Sequence, residues 1–353
     1  MTETRFMTGN EAIAEAAVQA GCRHFFGYPI TPQSEIPEYM SRRLPEVGGV
    51  YLQAESEVAA INMLFGAAGA GARVMTSSSS PGISLMQEGI SYMAGAELPC
   101  VVVNIMRGGP GLGGIQPSQS DYFQATKGGG HGDYHILVLA PHTLQEAVSL
   151  TMEAFDLADK YRNPVLVLGD GYMGQMMEPV RFEKSAPLKL PTKEWALTGA
   201  KGRPPNLVRS LYLDPKLLEE HNLEINRKIQ DMIKNEVRVE TYHTDDAEVI
   251  IAAYGTVARI AKTAIKVLRE RGIRAGMVRP ITVFPFPYET FEKMADKVSR
   301  FLVVEMSLGQ MVEDVRLGLC AKAQARFYGR TGGMVPSYDE IITQTEELVK
   351  EAI

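Results

Sequence analysis

The feature that most constrains this 353-residue chain is an alternation of apolar runs with helical periods, from residue 10 to about 180. Val101-Val102-Val103 and Val165-Leu166-Val167-Leu168 are apolar at every position, so such strands must be covered on both faces. Between them, Leu144 to Lys160 repeats its apolar residues at helical spacing. Strands buried on both sides and separated by helices predict a parallel, doubly wound α/β sheet. The pattern predicts helices over Asn10–Gly21, Glu57–Gly71, Ile83–Ala94 and Leu144–Lys160. It predicts strands over His24–Tyr28, Arg73–Thr76, Cys100–Met106 and Pro164–Gly169.

The alternation stops near residue 181. Lys, Pro and Gly crowd Lys184 to Pro205, which reads as an extended connector. A helix with Ile225, Ile229, Met232 and Ile233 on one side follows. A second α/β unit then begins, with strands expected over Glu248–Tyr254, Arg274–Val278 and Arg300–Glu305. Helices are expected over Ala258–Gly272 and Tyr288–Lys297, and a mostly helical remainder. The expected division is a first domain over 1–181, a connector over 182–244 and a second domain over 245–353.

Several partner classes fall away. Net charge is −6 with no cluster of Lys and Arg, which argues against a nucleic-acid surface. No apolar run nears the roughly 20 residues that cross a bilayer, so no membrane is expected. Met1 to Arg5 lead into Thr8-Gly9-Asn10-Glu11 without an apolar core, so a cytoplasmic protein is expected. Cys22, Cys100 and Cys320 lie far apart, whereas iron–sulfur clusters need closely spaced thiolates. Reduced thiols and no metal on this chain are the expectation.

Four stretches carry chemistry. In Gln53-Ala54-Glu55-Ser56-Glu57-Val58-Ala59-Ala60, a carboxylate enters a helix of small residues directly after a strand. Buried there, Glu57 would be placed to share a proton with a ring nitrogen; exposed, it is a first-turn Glu favoured by the helix dipole. In Gly27-Tyr28-Pro29-Ile30-Thr31-Pro32, two prolines stiffen a turn and hold the Thr31 hydroxyl at a strand's C-terminal end, or simply turn the chain. Thr76-Ser77-Ser78-Ser79-Ser80-Pro81-Gly82 reads as a small polar loop that either feeds N–H groups and hydroxyls to a ligand or caps a helix near Ile83. Arg107 ends a strand before Gly108-Gly109-Pro110-Gly111, where its fork suits a carboxylate. The glycine-rich run continues to Gly132, and its His131 is either a site residue or a structural one. Gly169-Asp170-Gly171 resembles the start of the metal-and-diphosphate motif of thiamine enzymes, which implies an Asn about 25 residues further on; Trp195 to Lys201 has none, so the segment reads as a turn after a strand.

Together these motifs resemble the α subunits of 2-oxoacid:ferredoxin oxidoreductases over about 8–180 and 245–320. Glu57 with Gly66 nine positions later resembles the pyrimidine-binding helix of thiamine-diphosphate enzymes. Tyr28 to Pro32 resembles the family's Tyr-Pro-Ile-Thr-Pro motif. Arg279-Pro280-Ile281-Thr282 and Val304-Glu305-Met306-Ser307 resemble its transketolase-C-like domain. The resemblance implies that Glu57 bonds the aminopyrimidine ring, with Glu55 as the competing carboxylate. It implies that Arg107 and Thr31 engage the substrate carboxylate, and that Pro29, Thr31, Ser79, Ser80 and Gly82 adjoin the cofactor. The family has Gly before the proline where this chain has Ser80.

By the same resemblance, thiamine diphosphate is shared with a diphosphate-binding β subunit. Mg²⁺ and iron–sulfur clusters sit on partner chains, with a γ subunit, a ferredoxin-like δ subunit, ferredoxin, a 2-oxoacid and coenzyme A as further partners. The stretch Arg107 to Tyr122 resembles the branched-chain (3-methyl-2-oxobutanoate) members, and no Arg occurs between residues 108 and 161 for a second substrate carboxylate. Alternatives are a 2-oxoglutarate or pyruvate member, the β subunit of a lipoyl-dependent 2-oxoacid dehydrogenase complex, or a non-catalytic scaffold. The last lacks support from any Gly-x-Gly-x-x-Gly after the first strand or phosphate loop.

Overall fold

The computed structural model describes residues 4–183, 190 and 192–351. Met1 to Glu3, and residues 184–189 and 191 of the expected connector, lie outside the described residues. Strand β1 (Thr4–Thr8) leads into α1 (Gly9–Gln19), which starts on a capping box between Thr8 and Glu11. The chain then alternates β2 (His24–Gly27), α2 (Glu35–Glu46), β3 (Val50–Gln53), α3 (Glu57–Gly69), β4 (Val74–Ser78) and α4 (Ser80–Gly95). There follow β5 (Cys100–Met106), α5 (Tyr122–Thr126), β6 (Leu137–Leu139), α6 (Leu144–Tyr161), β7 (Pro164–Asp170), α7 (Gly171–Gln175) and β8 (Met177–Arg181). Helix α8 (Pro215–Asn235) precedes β9 (Val239–Tyr242), β10 (Val249–Ala252), α9 (Gly255–Glu270), β11 (Ala275–Pro280) and β12 (Thr282–Phe284). The last elements are α10 (Tyr288–Ala295), β13 (Arg300–Glu305), α11 (Met311–Gly318), β14 (Gln324–Gly329) and α12 (Tyr338–Lys350).

The principal sheet has seven strands in the order β12-β6-β7-β5-β4-β2-β3. Six run parallel, and β12 pairs antiparallel with β6. Strands β5 and β7 are buried at all of their positions, as the apolar runs Val101–Val103 and Val165–Leu168 require. A second sheet, β14-β13-β10-β11-β9, is parallel except for β9. The chain is thus a doubly wound α/β domain followed by a second α/β domain, as the sequence predicts. One apolar core lies between α1, α2 and α6 and the sheet. Another lies under α3 and α4 and continues into β10, β13, α10 and α11 of the second domain. Strand β12 carries the second domain's chain into the first sheet, so the two units share a core and an edge.

Several expectations need correcting. Thr76 to Gly82 is not a loop: the strand runs through Ser78, Ser79 alone connects, and α4 begins at Ser80. Its serines follow strand periodicity at a site where both faces are covered, so polarity misled the reading. The region after residue 305 holds β14, an edge strand whose mixed polar composition hides it. Helix α2 and strands β1, β8, β9 and β12 are not placed by the sequence reading, and neither is β6, although Ile136 to Ala140 is an unbroken apolar run. Ile225, Ile229 and Met232 are buried as expected, whereas Ile233 is 38% exposed.

Candidate active site

The helices after β2 and β3 pack on opposite faces of the sheet: α2 joins the core of α1 and α6, and α3 joins the core of α4. Strand order therefore reverses at the β4–β2 pair, and the crevice beyond their carboxyl ends is where open α/β sheets bind ligands. Tyr28 to Thr31 continue from β2 at this point, and Ser79 continues from β4.

Glu57 is the first residue of α3. Ser56 caps that helix, its Oγ accepting the Ala59 N–H at 3.2 Å. Glu57 is 6% exposed, and no hydrogen bond or ion pair within the described residues engages its carboxylate. That carboxylate lies over Gly82, in the first turn of α4. A Cβ on Gly82 would meet Glu57 Oε1 at 2.6 Å and Ser78 Oγ at 2.0 Å, so only glycine lets the two helix starts approach. The hydroxyls of Thr76, Ser78 and Ser79 are buried there without partners. Such groups cost free energy until something bonds them. Glu55 is exposed.

Arg107 follows β5 directly and is 8% exposed. Its Nη1 donates to the Thr31 carbonyl and its Nη2 to the Leu112 carbonyl, each at 2.9 Å, while the buried Nε–H has no acceptor. Thr31 and Arg107 are thus brought together, with the Thr31 side chain exposed. A cavity of about 320 Å³ opens beside Thr31, lined also by Glu35, Ile115, Gln116 and Gln175. Pro29 is exposed on the turn leading there. Ser80 joins the two halves of the cluster. Its hydroxyl donates to Asp121 Oδ2 at 2.6 Å and accepts the Arg107 amide at 3.0 Å. Asn104 Nδ2 also donates to Asp121 Oδ2, at 2.9 Å. Burial pushes the Asp121 carboxyl above its ordinary range, and these two hydrogen bonds oppose the rise.

Other singled-out residues sit elsewhere. His131 is exposed and meets the edge of Tyr92, with ring centroids 6.1 Å apart, outside the cluster. Asp170 caps α7, accepting the Tyr172 and Met173 N–H groups at 2.9 and 3.2 Å, and burial pushes its carboxyl up. Arg279 is 2% exposed and holds the domains together through Glu146 (2.8 and 2.9 Å) and Glu240 (2.6 Å). Glu305 is fully buried and accepts the N–H groups of Gln310, Met311 and Val312 at the start of α11. Sequence reasoning missed Asn104 and Asp121. Their contacts join residues 17 and 41 positions apart, and no local pattern encodes that.

The fold and crevice are those of thiamine-diphosphate enzymes. A model of the family described as "Pyruvate flavodoxin/ferredoxin oxidoreductase, thiamine diP-bdg" matches residues 15–255. One described as "Pyruvate:ferredoxin oxidoreductase core domain II" matches residues 247–341. A "Ketoisovalerate oxidoreductase subunit VorB" of Methanothermobacter thermautotrophicus is 50% identical over 349 residues, covering 99% of each chain. A "2-oxoglutarate synthase subunit KorA" of the same organism is 38% identical over 97% of this chain and 98% of its own. Among solved structures, "2-oxoglutarate:ferredoxin oxidoreductase from Magnetococcus marinus with 2-oxoglutarate, coenzyme A and succinyl-CoA bound" superposes with a TM-score of 0.86 at 27% identity. That match covers 99% of this chain and 66% of the other. The chain belongs to the 2-oxoacid:ferredoxin oxidoreductase family, as an enzyme subunit. Among the described residues no helix is long and apolar enough to cross a membrane.

Proposed function

We propose that this chain is the pyrimidine-side α subunit of a coenzyme A-dependent 2-oxoacid:ferredoxin oxidoreductase whose substrate is 3-methyl-2-oxobutanoate. The observation that carries the reading is the buried, internally unpartnered Glu57 carboxylate against Gly82, beside orphaned serine hydroxyls. A cofactor with a ring nitrogen and an amino group fits that donor and acceptor set, and the bare Gly82 Cα leaves it room. Glu57, Ser78, Ser79 and Gly82 would hold the aminopyrimidine. Bound there, thiamine diphosphate supplies the electron sink that decarboxylation of a 2-oxoacid requires.

Glu57 holds a proton at its carboxylate oxygen, where a ring nitrogen can take or return it. Arg107, fixed by the carbonyls of Thr31 and Leu112, would offer its guanidinium to the substrate carboxylate, with Thr31 adjoining it. Diphosphate, Mg²⁺ and iron–sulfur clusters belong to partner chains, with ferredoxin as electron acceptor. Support comes from the chain's own residues: Asp170 is spent on capping α7, and the three cysteines are far apart in sequence. Cys22 and Cys100 are buried, and burial pushes the Cys22 thiol up to about 12, which disfavours a ligating thiolate.

The branched-chain reading rests on cations. A second substrate carboxylate wants its own, and Lys127, the sole lysine of residues 108–132, is already paired with Asp314 at 2.5 Å. The 50% identical relative named for ketoisovalerate points the same way. The test is the native complex assayed with coenzyme A, ferredoxin and a panel of 2-oxoacids. We expect kcat/KM for 3-methyl-2-oxobutanoate to exceed that for 2-oxoglutarate by at least about tenfold. A higher value for 2-oxoglutarate would overturn the substrate assignment and leave the family intact.

A further inference from the structure

The second domain supplies none of the cluster's ligand-facing residues, yet it grips the segment that braces Arg107. Gln310, in the turn before α11, donates from Nε2 to the Ser120 carbonyl at 2.7 Å and accepts the Phe123 N–H at Oε1 at 2.8 Å. Gln119 is held as firmly: Nε2 donates to the Tyr254 carbonyl at 2.9 Å, and Oε1 accepts the Met306 N–H at 3.0 Å. Asp121 lies between these clamped residues. Its Oδ2 takes the Ser80 hydroxyl and the Asn104 amide, and Ser80 in turn accepts the Arg107 N–H. Asn104 Oδ1 closes the circuit by accepting the Ser80 N–H at 3.2 Å.

We propose that Gln310 and Ser80 are positioning residues for the 2-oxoacid: the second domain sets Arg107 through Ser120–Phe123, Asp121 and Ser80. This rests on the reading of Arg107 as the carboxylate's partner. The physical reason is that every link is a directional bond, buried where Gln119, Ser80 and the Arg107 backbone bond and half-buried at Gln310 and Asp121. Gln119 and Asn104 are fully buried, and Ser80 and Arg107 are each 8% exposed. At the buried links, water cannot replace a lost bond without the segment moving. A displacement of about 1 Å at a positioned group costs as much as about a hundredfold in rate. A glycine at position 80 would offer no hydroxyl. This chain therefore braces Arg107 with a bond that a glycine cannot make.

The experiment uses the assembled complex carrying Ser80→Ala, Gln310→Ala, or both, with Arg107→Ala as reference. KM and kcat for 3-methyl-2-oxobutanoate are read beside amide hydrogen exchange of the peptides containing Arg107 and Phe123. Each single variant should raise KM by about 5- to 20-fold and leave kcat within about twofold. The double variant should cost no more than the worse single, because both act on one relay. Exchange at the Arg107 peptide should quicken in Gln310→Ala, although Gln310 does not touch it. Unchanged KM in both singles, effects that multiply in the double, or faster exchange confined to the Phe123 peptide would each overturn the relay. If Arg107→Ala itself leaves KM unchanged, the carboxylate reading fails and the relay with it. If Arg107→Ala raises KM and the other two do not, only the relay fails. Gln310→Glu guards against misfolding: it keeps the acceptor for Phe123 and loses the donor to Ser120, so a smaller KM rise is expected and none would count against the relay.

Discussion

Two carboxylates two positions apart, Glu55 and Glu57, end up in opposite environments, because a residue that opens a helix faces the sheet while its neighbour in the preceding turn faces solvent. Glu57→Gln keeps size and hydrogen bonding and removes the acid. In the assembled complex it should slow turnover, and hydrogen–deuterium exchange at the thiazolium carbon, by about 10²- to 10⁴-fold. Glu55→Gln should exchange like the parent. Normal exchange in both variants would sink the thiamine reading of this helix. Gly82→Ala probes the same contact from the other side, since its methyl would intrude on Glu57 Oε1 and Ser78 Oγ. Overpacking of this kind costs about 1–3 kcal/mol. We expect a lower Tm together with weakened retention of thiamine diphosphate by the complex. A variant that melts and retains cofactor like the parent would show that the crevice does not need the bare Cα.

At the scale of elements, the two domains are joined where α6 meets β11. Burial raises the Glu146 carboxyl, but hydrogen bonds from His142 and Arg279 outweigh it and hold the group at about 2. An unfolded Glu titrates near about 4.3. The folded value is the lower one, so this stabilisation is fully present above about pH 4.3 and is lost as pH falls toward 2. Its size is on the order of 3 kcal/mol. Denaturant unfolding between pH 5 and about pH 2.5 should show that loss, and Glu146→Gln should flatten it. Parallel curves for the two proteins would remove Glu146 from the account. The neighbouring hub has the same design: Asp314 takes the hydroxyls of Tyr122 and Tyr288 and the Lys127 ammonium, tying α5 to α11. Apart from the His142–Glu146 pair four positions apart, position along the chain shows little of this, because Arg279 and Asp314 meet partners from other elements.

For the molecule as a whole, the cluster reads as half of a site. Helix α3 leaves Val58, Asn62 and Gly66 exposed beside the buried Glu57. Thiamine diphosphate should therefore bind the isolated chain too weakly for calorimetry at micromolar protein, and bind tightly once a diphosphate-binding partner is added. Robust ferredoxin reduction by the chain alone would contradict this. What the sequence determined by itself was whatever repeats locally. Apolar periodicity fixed the parallel sheet, because strands such as β5 and β7 must be covered on both faces wherever they go. The order of Glu57, Arg107 and the second-domain motifs pointed to the family, because those residues follow strand ends and helix starts that local pattern reveals. Only the tertiary structure decided that Ser79 is a one-residue junction, that Glu57 rather than Glu55 is buried against Gly82, and that Asp121 and Gln310 brace Arg107. Those outcomes depend on which helix starts and loops meet across the crevice. Hydrogen bonds between residues up to 192 positions apart leave no trace in any window of sequence.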